Sequence, residues 1–455
     1  MADNTLATPS PLKSSTIYMY GSVGTPLAMF GYPIAIWLPV FYSQELGVSL
    51  AAVGTMIMLA RFTDVVTDPL IGLFSDHHHS KIGRRKPFML AGLPILILGV
   101  LMLFMPRQFG FETIGSLYLV FWISIMFLGA TLVLIPYGAW GAELTPDYHE
   151  RTRITAVREV FVLVGLLLSA VIPAFVEYFS DGSVSEILEA MAWSIVVLMP
   201  VLVVMVVWRV PEPQVEGHRK VALVDGLRMV AKNGPMIRIL LIILIVTGGE
   251  AFRNALSIFF MGEIIEIGNP GTLFLYYFGA GLVAIPLWLW LGRKIGKHRA
   301  FAVCMGTVSI ISVATYFLGA GDVGLFTALF IAKGMCFGGL QFLPLSMLAD
   351  VVDVDTARSR GKRAGTFFAI SGMTSKISIA LGTGMSLNIV AFFGFDPRAV
   401  SGPEALQWLA FCYTIIPAVF FVGALRLIWN YPLTAERQVR LRGLIERRNA
   451  RLSKI

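Results

Sequence analysis

Charge is scarce in this chain. Asp, Glu, Lys and Arg supply 14% of its 455 residues, where a soluble domain carries about 25%. Hydrophobic residues make up 56%, and the mean hydropathy is +0.75. A water-soluble fold of this length has no interior large enough to hide that much apolar surface. Cysteine is scarcer still. Cys304, Cys336 and Cys412 all lie inside apolar runs, so they offer no disulfide framework and no CxxC metal or redox motif. A Walker A pattern is missing, which excludes ATP as the driving force. None of the six histidines falls within an apolar run, so no intramembrane Ser–His–Asp set is legible. The chain reads as a non-enzyme without a cofactor. Gly and Pro are scattered among abundant Leu, Ile and Phe, which argues against collagen and disorder. The apolar runs do not alternate as β-barrel strands do. They are continuous and near the twenty residues that a membrane-spanning α-helix needs. The polar first sixteen residues and the long run after them do not resemble a cleavable signal peptide.

Twelve such runs are legible, at roughly 17–42, 50–75, 88–105, 114–142, 155–179, 189–209, 236–262, 271–292, 299–319, 323–349, 365–394 and 405–430. The longest break, 210–235, is charged and bounded by proline. It reads as a cytoplasmic linker between an N-terminal six-helix bundle (1–209) and a C-terminal one (236–430), with a basic tail at 431–455. Basic residues set orientation, because cytoplasmic loops retain Lys and Arg. Of 36 such residues, 29 fall on the side that holds both termini, and only Arg107 and Arg398 fall on the other. Both termini are therefore expected in the cytoplasm, in a multi-pass plasma or inner membrane protein. This bias also accounts for the net charge of +8. Spread over seven segments, it does not mark a nucleic-acid surface. The tail is expected to lie on anionic lipid headgroups.

The two halves echo each other. The loop after the second run carries Asp76, Gly83, Arg84 and Arg85, and the loop after the eighth reads Gly292–Arg293–Lys294–Ile295–Gly296–Lys297. The fourth run ends at Pro136 and Glu143, the tenth at Pro344, Asp350 and Arg363. Parallel six-helix repeats suit a transporter whose substrate sits between halves near the midplane. Asp76, Arg84, Glu143, Asp350 and Arg363 can then pair across the halves and hold one gate state, or they can serve simply as topological anchors.

Charge inside the spans needs a reason, since one at the bilayer centre costs roughly 2.5–3.5 kcal/mol. Arg61, Asp64 and Asp68 stand at i, i+3 and i+7, within about 60° of one another on one helix face. Two carboxylates a turn apart repel unless something cationic sits between them. At 1.5 Å per residue, Asp64 and Thr131 lie about 18 Å from the cytoplasmic helix ends, Lys376 about 16 Å and Asp68 about 12 Å. The second, fourth and eleventh spans thus contribute to one layer near mid-depth. Glu250 and Arg253, at i, i+3 on the seventh span, either pair with each other or face a cavity, where Arg253 would contact an anionic substrate group. Gln341, Tyr137 and Trp140 are candidate cavity residues, and Lys333 has no evident partner. His77, His78 and His79 read as a solvated loop, since three adjacent residues cannot all face one ion.

Three segments carry a family resemblance: 60–88 (ARFTDVVTDPLIGLFSDHHHSKIGRRKPF), 135–161 (IPYGAWGAELTPDYHERTRITAVREVF) and 348–376 (LADVVDVDTARSRGKRAGTFFAISGMTSK). They resemble the helix-two, helix-four/five and helix-ten/eleven segments of the melibiose permease-like glycoside–pentoside–hexuronide:cation symporters, a branch of the major facilitator superfamily. The resemblance implies an all-α membrane protein of twelve helices in two pseudo-symmetric bundles, working as a monomer. It implies Na⁺ or H⁺ symport of a glycoside, hexuronide or related small polar solute. It places the cation at Asp64 and Asp68, with Thr131 assisting, and places Lys376 beside them, where with Arg61 it would link cation binding to the conformational cycle. It also puts Arg158 at a substrate-contact position, with structural gate pairing as the other reading of that residue. A uniporter with a permanent ion pair among Asp64, Arg61 and Lys376 is the plainer reading. The family's sugar-binding acid on helix one aligns with Pro26, its neighbouring Lys with Thr25, and its helix-four acid with Leu134. These departures count against a galactoside and leave room for a lysophospholipid or other amphiphile, which a member of the same wider group carries. A non-transporting sensor is the remaining alternative, and the costly mid-depth charges count against it.

Overall fold

The computed structural model describes residues 12–431 except 79, 112, 146, 181, 214–232, 360–363 and 430. Among these residues it contains twelve helices long and apolar enough to cross a membrane. The first six are α1 (Ser14–Glu45), α2 (Leu50–His77), α3 (Lys86–Phe104), α4 (Ser116–Glu143), α5 (Glu150–Phe179) and α6 (Val184–Arg209). The second six are α7 (Gly234–Glu263), α8 (Pro270–Ile295), α9 (Lys297–Tyr316), α10 (Val323–Val352), α11 (Gly365–Phe392) and α12 (Pro403–Trp429). Each coincides with one apolar run of the sequence. The helices of the fifth and sixth runs begin several residues earlier than hydropathy suggests, because capping side chains set their starts. Asp147 accepts from the Glu150 backbone N–H at 2.8 Å, and Ser183 accepts from that of Glu186 at 3.3 Å. Such caps satisfy N–H groups that have no partner within the helix. Most of the 210–235 linker, the tail beyond Tyr431, and Arg363 with its gate assignment lie outside the described residues.

Two helices that border the centre are irregular. α1 passes through two π-helical turns, Pro33–Trp37 and Phe41–Glu45. α8 is interrupted between Val283 and Ile285, just before Pro286. The halves meet where α2 packs on α11, α5 on α8, and α1 on α7.

The face away from the termini is tightly closed. A Cβ at Gly54 would come within 2.8 Å of Leu387 Cβ, and one at Gly384 within 2.7 Å of Met58 Cβ, so α2 and α11 touch there only because both positions lack a side chain. Thr55 donates to Asn388 Oδ1 at 3.3 Å, and Arg398 to the Gly47 carbonyl at 2.9 Å. The Glu177 carboxylate of α5 accepts from the backbone N–H groups of Gly271 and Thr272 and so caps α8 across the interface. Below this seal lies an aromatic plug. Tyr32 meets Phe278 at 4.6 Å and Phe337 at 6.2 Å, and Trp37 meets Phe274 at 6.3 Å between ring centroids.

Candidate functional site

Under the plug, between the halves, is a cavity of about 480 Å³, within the range of small-molecule sites. Both walls are largely apolar, each with a few polar or charged members. The N-terminal half contributes mainly Leu27, Ala28, Phe30, Gly31, Val162, Leu163, Leu166 and Leu167, with Arg61 and Glu159 as the charged members. The C-terminal half contributes the polar residues Thr247, Glu250, Asn254 and Gln341 along α7 and α10, among apolar neighbours that include Leu282, Ile285, Phe337, Phe342 and Leu345.

At one edge stands the mid-depth charge cluster, and the structure brings together every residue of the layer anticipated from helix rise. Lys376 Nζ of α11 lies between the two α2 carboxylates, 2.6 Å from Asp68 Oδ2 and 3.3 Å from Asp64 Oδ2. Arg61 reaches Asp64 at 3.6 Å and lies 4.0 Å above the centre of the Phe127 ring. Thr131 of α4 donates to Asp68 Oδ1 at 3.0 Å. The two acids and two bases sum to zero charge, which makes burial affordable in a low-dielectric layer. Two buried atoms of the cluster, Arg61 Nε and Asp64 Oδ1, are left over among the described residues. Asp64 Oδ1 is buried without a hydrogen-bond partner among the described residues, an uncommon state for a carboxylate oxygen. The cluster therefore holds an unused acceptor, and it holds the halves together through a lysine from the other bundle.

A second charged group sits in the C-terminal half. Arg253 Nη2 donates to Glu250 at 2.9 Å, to Asn254 Oδ1 at 2.7 Å and to the Tyr277 hydroxyl at 3.2 Å. Its side chain is 1% exposed and does not line the cavity. The expected contact between Arg253 and an anionic substrate group is thus not what the structure places there, because the guanidinium is turned into its own bundle behind Glu250. Lys333 does have a partner: it donates to Ser312 Oγ at 2.8 Å and stands 5.9 Å from the Tyr413 ring centre.

Other candidates are placed as follows. Gln341 and Glu250 line the cavity. Tyr137 does not; it stacks on Tyr20 at 4.6 Å and donates to the Tyr20 carbonyl at 2.9 Å, which packs α4 on α1. Trp140 is buried as well and donates to the Pro211 carbonyl at 3.1 Å. Arg158 pairs with the adjacent Glu159 at 2.7 Å. It is Glu159 that lines the cavity, a residue that sequence reasoning missed. Thr25 is buried and donates to the Phe161 carbonyl at 3.0 Å, and Pro26 beside it is buried too. The α1 positions that carry polar groups in the resembled family therefore present none to this cavity.

Several of the gate charges form ion pairs within their own half. Arg85 binds Asp76 and, at 2.8 Å, Glu143; Arg84 binds Glu143 at 2.8 Å. In the other half Lys297 binds Asp350 at 2.7 Å. Arg85 and Lys297 were the members not anticipated as gate residues. Each follows a glycine with positive φ, Gly83 at 124° and Gly296 at 91°, a turn that returns the chain under its own bundle and keeps the base close to its own half's acids.

Twelve helices in two pseudo-symmetric halves around a central cavity define a major facilitator transporter, not an enzyme. The solved D-xylose–proton symporter shares this fold, with a TM-score of 0.67 at 15% identity over 92% of this chain and 98% of that one. The family described as MFS/sugar transport protein matches residues 19–435, and the chain belongs to it. Among curated relatives, the isoprimeverose transporter of Lactiplantibacillus pentosus is 23% identical over 87% of this chain and 84% of its own. The human sodium-dependent lysophosphatidylcholine symporter 1 is 24% identical over 88% and 79%.

Proposed function

We propose that this protein is a cation-coupled symporter of a glycoside, hexuronide or related small polar solute. It works by alternating access as a single chain, in a cytoplasmic membrane with both termini inside. The observation that carries the reading is Lys376 held between Asp64 and Asp68. A Na⁺ or H⁺ arriving at Asp64, Asp68 and Thr131 competes with the lysine for the same oxygens. Released from the acids, α11 loses its hold on α2, so cation occupancy alters the contact between halves. Arg61 remains paired with Asp64 and limits the net charge of the loaded site. In the proposed orientation the sealed face is external, and the arrangement is the inward-facing one. The relatives named as an isoprimeverose transporter and a cation symporter of glycosides support this reading.

The test is uptake into proteoliposomes under imposed Na⁺ or pH gradients. Asp64→Asn is expected to abolish the response to the gradient while leaving exchange at equal concentrations. An unaltered gradient response would leave the four charges as a permanent ion pair in a uniporter. A second reading, transport of a lysophospholipid, is favoured by the largely apolar cavity wall, and the same liposomes test it with a labelled lysolipid.

A further inference from the structure

Arg253 fixes the two groups that flank it on α7. The same nitrogen donates to Glu250 Oε2 and to Asn254 Oδ1. Each residue is thereby held through one atom and presents the other. Glu250 Oε1 is a buried acceptor without a hydrogen-bond partner among the described residues. The Asn254 amide, its oxygen engaged, has its NH₂ donors turned the other way. Both residues line the cavity, one helical turn apart, with Gln341 on the same C-terminal wall. The opposite wall, from Leu27 to Leu167, is mostly aliphatic.

We infer that Glu250 and Asn254 form the head-group subsite of this transporter, selecting a neutral polyhydroxyl head joined to an apolar remainder. The inference rests on the symporter reading above and narrows its substrate class to uncharged glycosides with an apolar aglycone. An adjacent fixed acceptor and donor match a vicinal diol, in which one hydroxyl donates and the other accepts. An ammonium head would leave the amide donors unused. An anionic head would meet the Glu250 carboxylate; the Arg253 guanidinium is engaged with Glu250 behind the wall, and the cavity-lining Arg61 is paired with Asp64. The aliphatic wall of α1 and α5 takes the aglycone. Recognition of the head thus falls to the C-terminal half, while the cation belongs to α2 and α4. Arg253 is a positioning residue, acting only through its two neighbours.

The experiment measures binding to the full chain in lipid nanodiscs. The probes are p-nitrophenyl glycosides of glucose, galactose and xylose, p-nitrophenyl glucuronide, and lysophosphatidylcholine. At least one neutral aryl glycoside is expected to bind, about tenfold or more tighter than the glucuronide, as loss of one hydrogen bond to a charged group implies. Glu250→Gln is expected to weaken it by a similar factor and to narrow the gap to the glucuronide. Asn254→Ala, which keeps the Glu250–Arg253 pair, is expected to weaken every neutral glycoside and leave the glucuronide unchanged. Tighter binding of the glucuronide or of lysophosphatidylcholine, or glycoside binding indifferent to Asn254→Ala, overturns the inference while gradient-driven uptake still supports symport. Failure of every aryl glycoside to bind overturns the inference and the glycoside reading together.

Discussion

The two buried charge groups start from nearly the same local pattern. On α2, Arg61 and Asp64 stand at i, i+3; on α7, Glu250 and Arg253 do. Their surroundings separate them. The α2 acids reach across the interface to Lys376 of the other half. The α7 pair closes on Asn254 and Tyr277, both in its own half. A contact that crosses the halves has to break whenever they rock apart, so whatever binds there biases the motion. A contact inside one half travels with it as a rigid body and can hold a ligand group in place through the whole cycle. Under the proposed function, connectivity alone separates a coupling group from a recognition group, before any chemistry of the substrate is considered.

The sharpest way to break that contrast is to remove one lysine from each side. Lys376→Ala leaves two neighbouring carboxylates without a base between them, and the expected loss of stability is about 3–5 kcal/mol. Na⁺ should restore part of it, and a melting curve with and without Na⁺ is the check; a variant that melts like the parent would mean that the cross-half contact contributes nothing. Lys333 sits 4% exposed with a hydroxyl and a distant ring as its described neighbours. Holding an ammonium out of water costs a protein several kcal/mol even after relaxation, and an apolar side chain of similar length removes that cost. Lys333→Met is therefore expected to raise the melting point and leave the gradient response intact, with uptake and melting measured on the same preparation.

Smaller effects sharpen the comparison at the two faces. Glu143 accepts from both Arg84 and Arg85 at 2.8 Å. Glu143→Gln should cost about 1–2 kcal/mol, and chemical denaturation at the parent's midpoint would mean that these two ion pairs contribute nothing. Glu177→Ala removes the carboxylate that caps α8 from α5. The loss of a cap is about 1 kcal/mol, enough to move the balance between the two facing states about fivefold. Reaction of an engineered cysteine on the sealed face with a membrane-impermeant thiol reagent should rise by that factor.

How much of this was legible in advance follows from the kind of information each feature needs. Asp64, Asp68, Thr131 and Lys376 could be collected from the linear chain because helix rise converts residue count into depth, and a charge in an apolar span has few places to go. Depth is silent about azimuth relative to a neighbour. Tyr137, Arg158 and Arg253 share the correct layer or helix, yet each is turned toward its own bundle or an adjacent residue. Glu159 escaped notice for the same reason, standing beside Arg158 on a helix whose cavity face only packing defines. The gate charges were legible as charges at helix ends, whether pairing across the halves or anchoring the topology. Their partners depend on two glycine turns and on the conformation in which the faces stand.

Composition and apolar run length determined that the chain is a twelve-helix membrane protein, because the hydrocarbon core sets how long a span must be whatever its neighbours are. The repeated loops and helix-end charges determined that it has two related halves. Only the tertiary structure decided which partners each charge finds, that Glu250, Asn254 and Gln341 reach the cavity from the C-terminal half, and that Arg253 pairs with Glu250 behind the cavity wall. Those outcomes depend on how each helix is rotated against its neighbours. Rotation is settled by close packing between side chains far apart in sequence, such as Gly54 against Leu387 and Gly384 against Met58.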